Sequence, residues 1–323
     1  MKMIDLHCDT ILKLLFNKEK GLLNKNDFHV DLSKLKESNS YLQTFAIFAS
    51  PEFCEREDVK ASNQHELVLE MYDRFMEEVE IHKDEIAIVK EFSDISRNSK
   101  DSKISALLAI EGAGSVDGKL ERFQEYYDMG VRLITITWNY VNSLGYPNVP
   151  KENMSKGLTD FGIKAIAKMN ELGMIIDVSH LSDAGFWDVV KYSTKPFVAS
   201  HSNARSIGHH VRNLTDDMIK ALSLRGGVTG INFCSAFLTE DTKSKEMYVK
   251  DLVKNIKHIK EVGGIDCIAL GTDFDGIEGI LEINNISEMD KLINALKDEG
   301  FTEEEIEKIW YKNALRVLKD ILC

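Results

Sequence analysis

Short apolar runs at residues 3–8, 41–49, 104–110, 131–137, 174–179, 196–200, 227–232 and 267–271 recur along the chain. The segments between them carry apolar residues at helical spacing, so the pattern predicts eight strands alternating with helices. The helices announce their starts. Thr159-Asp160 precedes Ile163, Ile166 and Ala167, and Thr215-Asp216-Asp217 precedes Met218, Ile219 and Leu222. Thr302 and Glu305 have the spacing of a capping box. Segment 86–89 reads as a candidate ninth strand, but no candidate ligand follows it, so it is assigned to the long connection after the second strand. A helix over 59–81 shares that connection, its alternating acids and bases describing a solvated face.

Eight β-α units predict an α/β fold, a TIM-like (β/α)8 barrel forming one domain over residues 1–323. A doubly wound sheet would place a Gly-rich nucleotide loop early, and neither G-x-G-x-x-G nor G-x-x-x-x-G-K occurs. In such barrels the carboxyl ends of the strands converge on one mouth, and the polar residues ending these runs are of one kind. His7 and Asp9 close the first run, Glu111 the third, His180 the fifth, His201 the sixth and Asp273 the eighth. A His-x-Asp pair alone is an ordinary polar strand end. Alternation on a strand puts His7 and Asp9 on one face, however, and the four further residues make a metal site the better reading. Imidazoles mixed with carboxylates suit zinc or a similar transition ion better than magnesium or calcium. Five ligands exceed one open tetrahedral site and suit two ions sharing a carboxylate, with Glu111 the natural bridge. Two ions would activate a water for hydrolysis without a protein nucleophile. Asp5 and Asp177 are candidates to orient imidazoles or to make plain structural hydrogen bonds.

Composition narrows the partners. A formal charge of −13 with scattered Lys and Arg excludes a nucleic-acid partner. Five cysteines, Cys8, Cys54, Cys234, Cys267 and Cys323, are odd in number and without a Cys-x-x-Cys pair, which fits a reducing cytoplasm. Cys8 alternates away from the His-x-Asp face and reads as packing. The first strand begins too early for a signal peptide and no run is long enough to span a bilayer, so a soluble, unanchored protein is expected.

The residues then carry a resemblance. Asp5-Leu-His-Cys-Asp-Thr10, Ile110-Glu-Gly-Ala113, Gly157-Leu-Thr-Asp-Phe-Gly162, Gly173-Met-Ile-Ile-Asp-Val-Ser-His180, Ser200-His-Ser-Asn-Ala-Arg205, Val211-Arg-Asn213 and Gly271-Thr-Asp-Phe-Asp-Gly276 together resemble the membrane dipeptidase (renal dipeptidase) family of zinc metallopeptidases. The likeness runs from residue 4 to beyond 310. It implies an amidohydrolase-type barrel with two zinc ions per chain, hydrolysing a dipeptide by a metal-bridging hydroxide. His7, Asp9 and Glu111 would hold one zinc, and Glu111, His180 and His201 the other. By the same resemblance Arg212 binds the dipeptide's free carboxylate, whereas alone it would read as a routine surface cation. Asp273, with Asp275 as the alternative, handles the amino group and the reaction's proton. A homodimer is the assembly the family suggests.

One position departs from the family. Its animal members place a histidine after strand 4 that contacts the scissile carbonyl oxygen, whereas here Trp138-Asn139 follows Ile136-Thr137. Asn139, or His209 or His210, would supply the missing donor, and Trp138 would shape the substrate pocket. Two rival readings stand beside the dipeptidase: a related amide hydrolase acting on N-acyl amino acids, cyclic amides or β-lactams, and a non-catalytic metal- or peptide-binding barrel.

Overall fold

The apolar runs pair in the order in which they occur. A computed structural model describes residues 1–322, leaving Cys323 outside the described residues. Its barrel strands are β1 (Met3–Asp5), β2 (Ser40–Phe48), β3 (Ile104–Glu111), β4 (Val131–Thr135), β5 (Ile175–Asp177), β6 (Val198–Ala199), β7 (Val228–Ile231) and β8 (Ile268–Leu270). Each pairs in parallel with its neighbour in sequence, and β8 pairs with β1, so the sheet closes. This is the expected TIM-like (β/α)8 barrel. Parallel neighbours need long crossovers, which the helices supply while covering the outer faces. That is why β3 is buried at every position.

The start signals act as predicted. Thr159 and Thr215 accept from the backbone N–H groups of Gly162 and Met218, and Thr302 with Glu305 closes a capping box. The connection after β2 differs from expectation in where its helix begins. Its helix spans Gln64–Ile81, started by Asn63, which accepts from the Glu66 N–H, so residues 59–63 precede it. Ile86–Ile88 is a short strand that pairs with the first residues of β3. It is the ninth strand that the apolar run offered, and it lies in the connection after β2 as assigned, outside the eight barrel strands.

Alternation layers the barrel's interior. Leu107, Leu133, Ile175, Val198 and Val228 belong to one buried cluster, joined by Ala314, Val317, Leu318 and Ile321 of the C-terminal helix Asn313–Ile321. Two or four residues further along the same strands, and therefore on the same face, come Glu111, Thr135, Asp177, Ser200 and Asn232. The result is an apolar floor beneath a polar layer at the carboxyl end. The barrel is narrow there: a Cβ on Gly230 or Gly271 would fall 1.9 or 1.8 Å from the Ser200 carbonyl oxygen, so only glycine fits. Loops after β7 and β8 are tied by a second parallel pair, Glu246–Met247 with Ile280–Leu281. No helix among the described residues is long and apolar enough to cross a membrane.

Candidate metal centre and active site

The first ligand pair reaches the mouth through an irregularity rather than a regular strand. β1 ends at Asp5, earlier than the run 3–8 suggests. The Leu6 N–H donates to the Leu270 carbonyl at 3.0 Å, and the His7 carbonyl accepts from the Asp273 N–H at 3.2 Å, so two successive residues turn toward β8. Between the pairs Asp5–Leu270 and Cys8–Phe274 the β8 side carries one extra residue, and such an irregularity re-aims side chains. Cys8 returns to β2, donating to the Thr44 carbonyl and accepting from Ala46, and its side chain is buried in the outer core as expected. His7 and Asp9 still converge, with Nε2 3.4 Å from Oδ2. Gly276 leaves the room Asp9 needs, because a Cβ there would lie 2.1 Å from Asp9 Oδ2.

Glu111 stands between two groups. Its Oε2 is 3.8 Å from His7 Nε2, while its Oε1 is 3.1 Å from His180 Nε2 and 3.4 Å from His201 Nε2. One carboxylate oxygen therefore serves each side. Ligand atoms of His7, Asp9 and Glu111 lie within 4.8 Å of one another, as do those of Glu111, His180 and His201, and those of His7, His201 and Asp273. All five predicted ligands meet at one place.

Outer contacts set the tautomers. His201 Nδ1 is 2.7 Å from Ser200 Oγ, which donates to Asp177 Oδ2 at 2.6 Å. Because the Ser200 hydrogen is spent on Asp177, the imidazole must donate from Nδ1, leaving the Nε2 lone pair for a metal. Asp177 thus orients His201 through Ser200, not His180 directly. Asp5 touches no imidazole: it accepts from the Thr272 N–H and hydroxyl and from Gln43, tying β1 to its neighbours. The plain structural reading of Asp5 is the right one.

The electrostatics ask for cations. Burial alone would depress the His7 pKa, yet the Glu111 and Asp9 carboxylates outweigh it and push it up to about 10. Burial holds His180 and His201 well below the ordinary range, with Arg212 and His7 adding to the effect, so both are neutral ligands. Burial also raises Glu111 well above the usual carboxylate range and Asp273 to about 6. His7 Nδ1 and Nε2 and Asp9 Oδ1 are buried without a hydrogen-bond partner. Buried groups are rarely left so unless a ligand completes them. Three carboxylates gathered around His7, with the neutral imidazoles of His180 and His201 beside them, draw positive charge to this place, and a divalent ion can supply it in place of the His7 proton. Since Asp9 belongs only to the His7 side, Asp9→Ala should weaken metal binding there by at least tenfold and leave the His180–His201 group intact, which stepwise metal titration would reveal.

The mouth opens into a cavity of about 720 Å³, walled by Phe48, Trp138, Phe237 and Ile277 among apolar residues, with Lys13 and Lys245 at its edge. Trp138 packs on Phe48 and Tyr140 with ring centroids 4.7 and 5.3 Å apart, an aromatic wall. Asn139 lines the cavity and places Oδ1 3.0 Å from His180 Nδ1. Arg212 is no surface cation: it is 3% exposed, donating from Nη1 to Ser202 Oγ and from Nη2 to the His201 carbonyl, while Nε is buried without a partner. His209 is exposed. His210 stacks on Phe237 at 4.6 Å, and its Nδ1 accepts from the Arg212 N–H. Asp273 turns Oδ1 toward His7 and accepts at Oδ2 from Asn232 Nδ2 at 2.9 Å. Asn232 and Ser200 were missed in the sequence. Both continue the inward alternation of an apolar strand, which is the signal that could have found them.

Comparison with known proteins follows the same line. A model of the membrane dipeptidase family, peptidase family M19, matches residues 1–322. An uncharacterized protein from the pqqA 5′ region of Klebsiella pneumoniae is 38% identical over 236 residues, covering 71% of this chain and 86% of that protein. An uncharacterized dipeptidase of Schizosaccharomyces pombe is 30% identical over 312 residues, covering 94% and 74%. The crystal structure of a Rhodobacter sphaeroides metallo peptidase, liganded with a phosphinate mimic of the dipeptide L-Ala-D-Ala, superposes with a TM-score of 0.90 at 25% identity over 99% of both chains. With its five converging ligands and a match along its length, the chain belongs to the membrane dipeptidase family of metallopeptidases.

Proposed function

We propose that the protein is a dipeptidase that works with two zinc ions and cleaves the amide bond by attack of water. The observation that carries this reading is the division of Glu111 between His7 and the His180–His201 pair. When bound, a pair of divalent ions activates a water near neutral pH and polarises the carbonyl under attack. The chain's own residues do the rest. Asp273 Oδ1 is free of protein donors closer than His7 and takes the substrate's amino group and the proton bound for the leaving amine. Arg212, held rigidly by Ser202 and the His201 carbonyl, binds the free carboxylate. Trp138 bounds the side-chain space. Free thiols at Cys8, Cys54, Cys234 and Cys267 support a cytoplasmic location.

Arg212 separates this reading from a broader amide hydrolase. A guanidinium that binds the terminal carboxylate contributes to ground and transition states alike, so Arg212→Ala should raise KM by about 10- to 100-fold. Dipeptide amides should be poor substrates for the unmutated protein and insensitive to the change, and steady-state kinetics on dipeptide and amide pairs check both points. If dipeptide amides or N-acyl amino acids are cleaved as fast as dipeptides, the broader hydrolase takes its place.

A further inference from the structure

Asn139 follows β4 and sits on the cavity wall beside a metal ligand. Its Oδ1 is 3.0 Å from His180 Nδ1. A carboxamide oxygen only accepts, so the imidazole must donate from Nδ1, and its lone pair lies on Nε2. Nε2 is the atom that faces Glu111 Oε1 and His201 Nε2, each at 3.1 Å. His201 gets the same tautomer from Ser200, so the two histidines of this side are fixed by different devices.

The contact also decides what the other end of the amide does. With Oδ1 turned to His180, the Nδ2 donors point away from the imidazole. Among the described residues Nδ2 has no protein acceptor and, unlike Arg212 Nε, is not a buried orphan, and Asn139 is one of the residues lining the cavity. A donor fixed beside a metal ligand, in a cavity that receives an amide, meets the oxygen on which negative charge develops. We propose that Asn139 performs two tasks: Oδ1 positions His180 in its metal-binding tautomer, and Nδ2 donates to the carbonyl oxygen of the bond being cleaved. The second task rests on the dipeptidase reading, and the first does not.

Two substitutions separate the tasks. Asn139→Ala removes acceptor and donor together. Asn139→Asp keeps an acceptor for the His180 proton and loses only the donor. Cobalt(II) titration of stripped protein, followed by its visible absorption, reads the first task. The alanine variant should bind one of two cobalt ions about 10- to 100-fold more weakly, the usual effect of losing an outer contact to a ligand. The aspartate variant should bind both at least as tightly as the unmutated protein, which also shows that the loop still folds. Dipeptide kinetics on fully loaded protein read the second: the aspartate variant should lose about 10²- to 10³-fold in kcat with KM little changed. Cobalt affinities equal to wild type in the alanine variant, or an aspartate variant with wild-type kcat, would overturn the proposal. If loaded wild-type protein cleaves no dipeptide, the dipeptidase reading fails instead, and the cobalt affinities alone decide the role of Asn139 toward His180.

Discussion

Replacing Glu111 by alanine should cost the protein both metal ions and its activity together. The carboxylate is the one side chain common to the His7–Asp9 and His180–His201 groups, with a separate oxygen turned to each. The remaining acids are differently placed: Asp273 reaches His7 and His201 but is not grouped with His180 or Asp9. Asp9 belongs to one side, and Asp273 is bound by Asn232 at one oxygen. Removing the bridge leaves each side two ligands short of a closed shell. Bound divalent ions would supply several kcal/mol of transition-state stabilisation at this site, and about 1.4 kcal/mol is tenfold in rate, so kcat should fall by about three orders of magnitude or more. Metal analysis after gel filtration should return less than one ion per chain. Two ions retained by Glu111→Ala would show that the bridge is elsewhere.

The second large effect distinguishes two aspartates that sequence alone leaves in competition. Asp273→Asn should keep both ions and lower kcat by about two to four orders of magnitude, the range of positioned acid-base catalysis. Asp275→Asn should leave the chemistry largely intact. The difference lies in what each carboxylate already holds. Asp275 accepts from the Thr10 hydroxyl at Oδ2 (2.6 Å) and from the His29 N–H at Oδ1 (2.7 Å), so both oxygens serve the fold. An amide there sets a donor against a donor and costs about 1–3 kcal/mol of stability. Asp273 keeps Oδ1 for the mouth. Kinetics and thermal melts of the two variants, side by side, check the assignment, and the opposite pattern would transfer the proton to Asp275.

The ligands were legible because each ends a continuous apolar run, and buried parallel strands have that pattern while their ends alone meet the cavity. His7, Asp9, Glu111, His180 and His201 all follow the rule. What escaped was set by three-dimensional neighbours. The extra residue opposite Leu6–His7 lies on the chain after β8, and no residue in the first run announces it. The apolar floor supplied by Ala314, Val317, Leu318 and Ile321 reads in the sequence as one more amphipathic helix. Arg212 sits in an irregular loop, where no period marks a residue as buried, so only the family resemblance pointed to it. Asn139 was expected to face the substrate, and its hold on His180 became visible only once the loops after β4 and β5 were side by side.

Under the proposed function, two ions bridged by Glu111 make this barrel a dipeptidase. Titrating zinc into chelator-stripped protein while following release of free amino acids from a panel of dipeptides tests it in a single experiment. Activity should be absent without metal, rise with added zinc and level off at two equivalents per chain. A plateau at one equivalent, or no amino acid released from any dipeptide at full loading, would contradict the account.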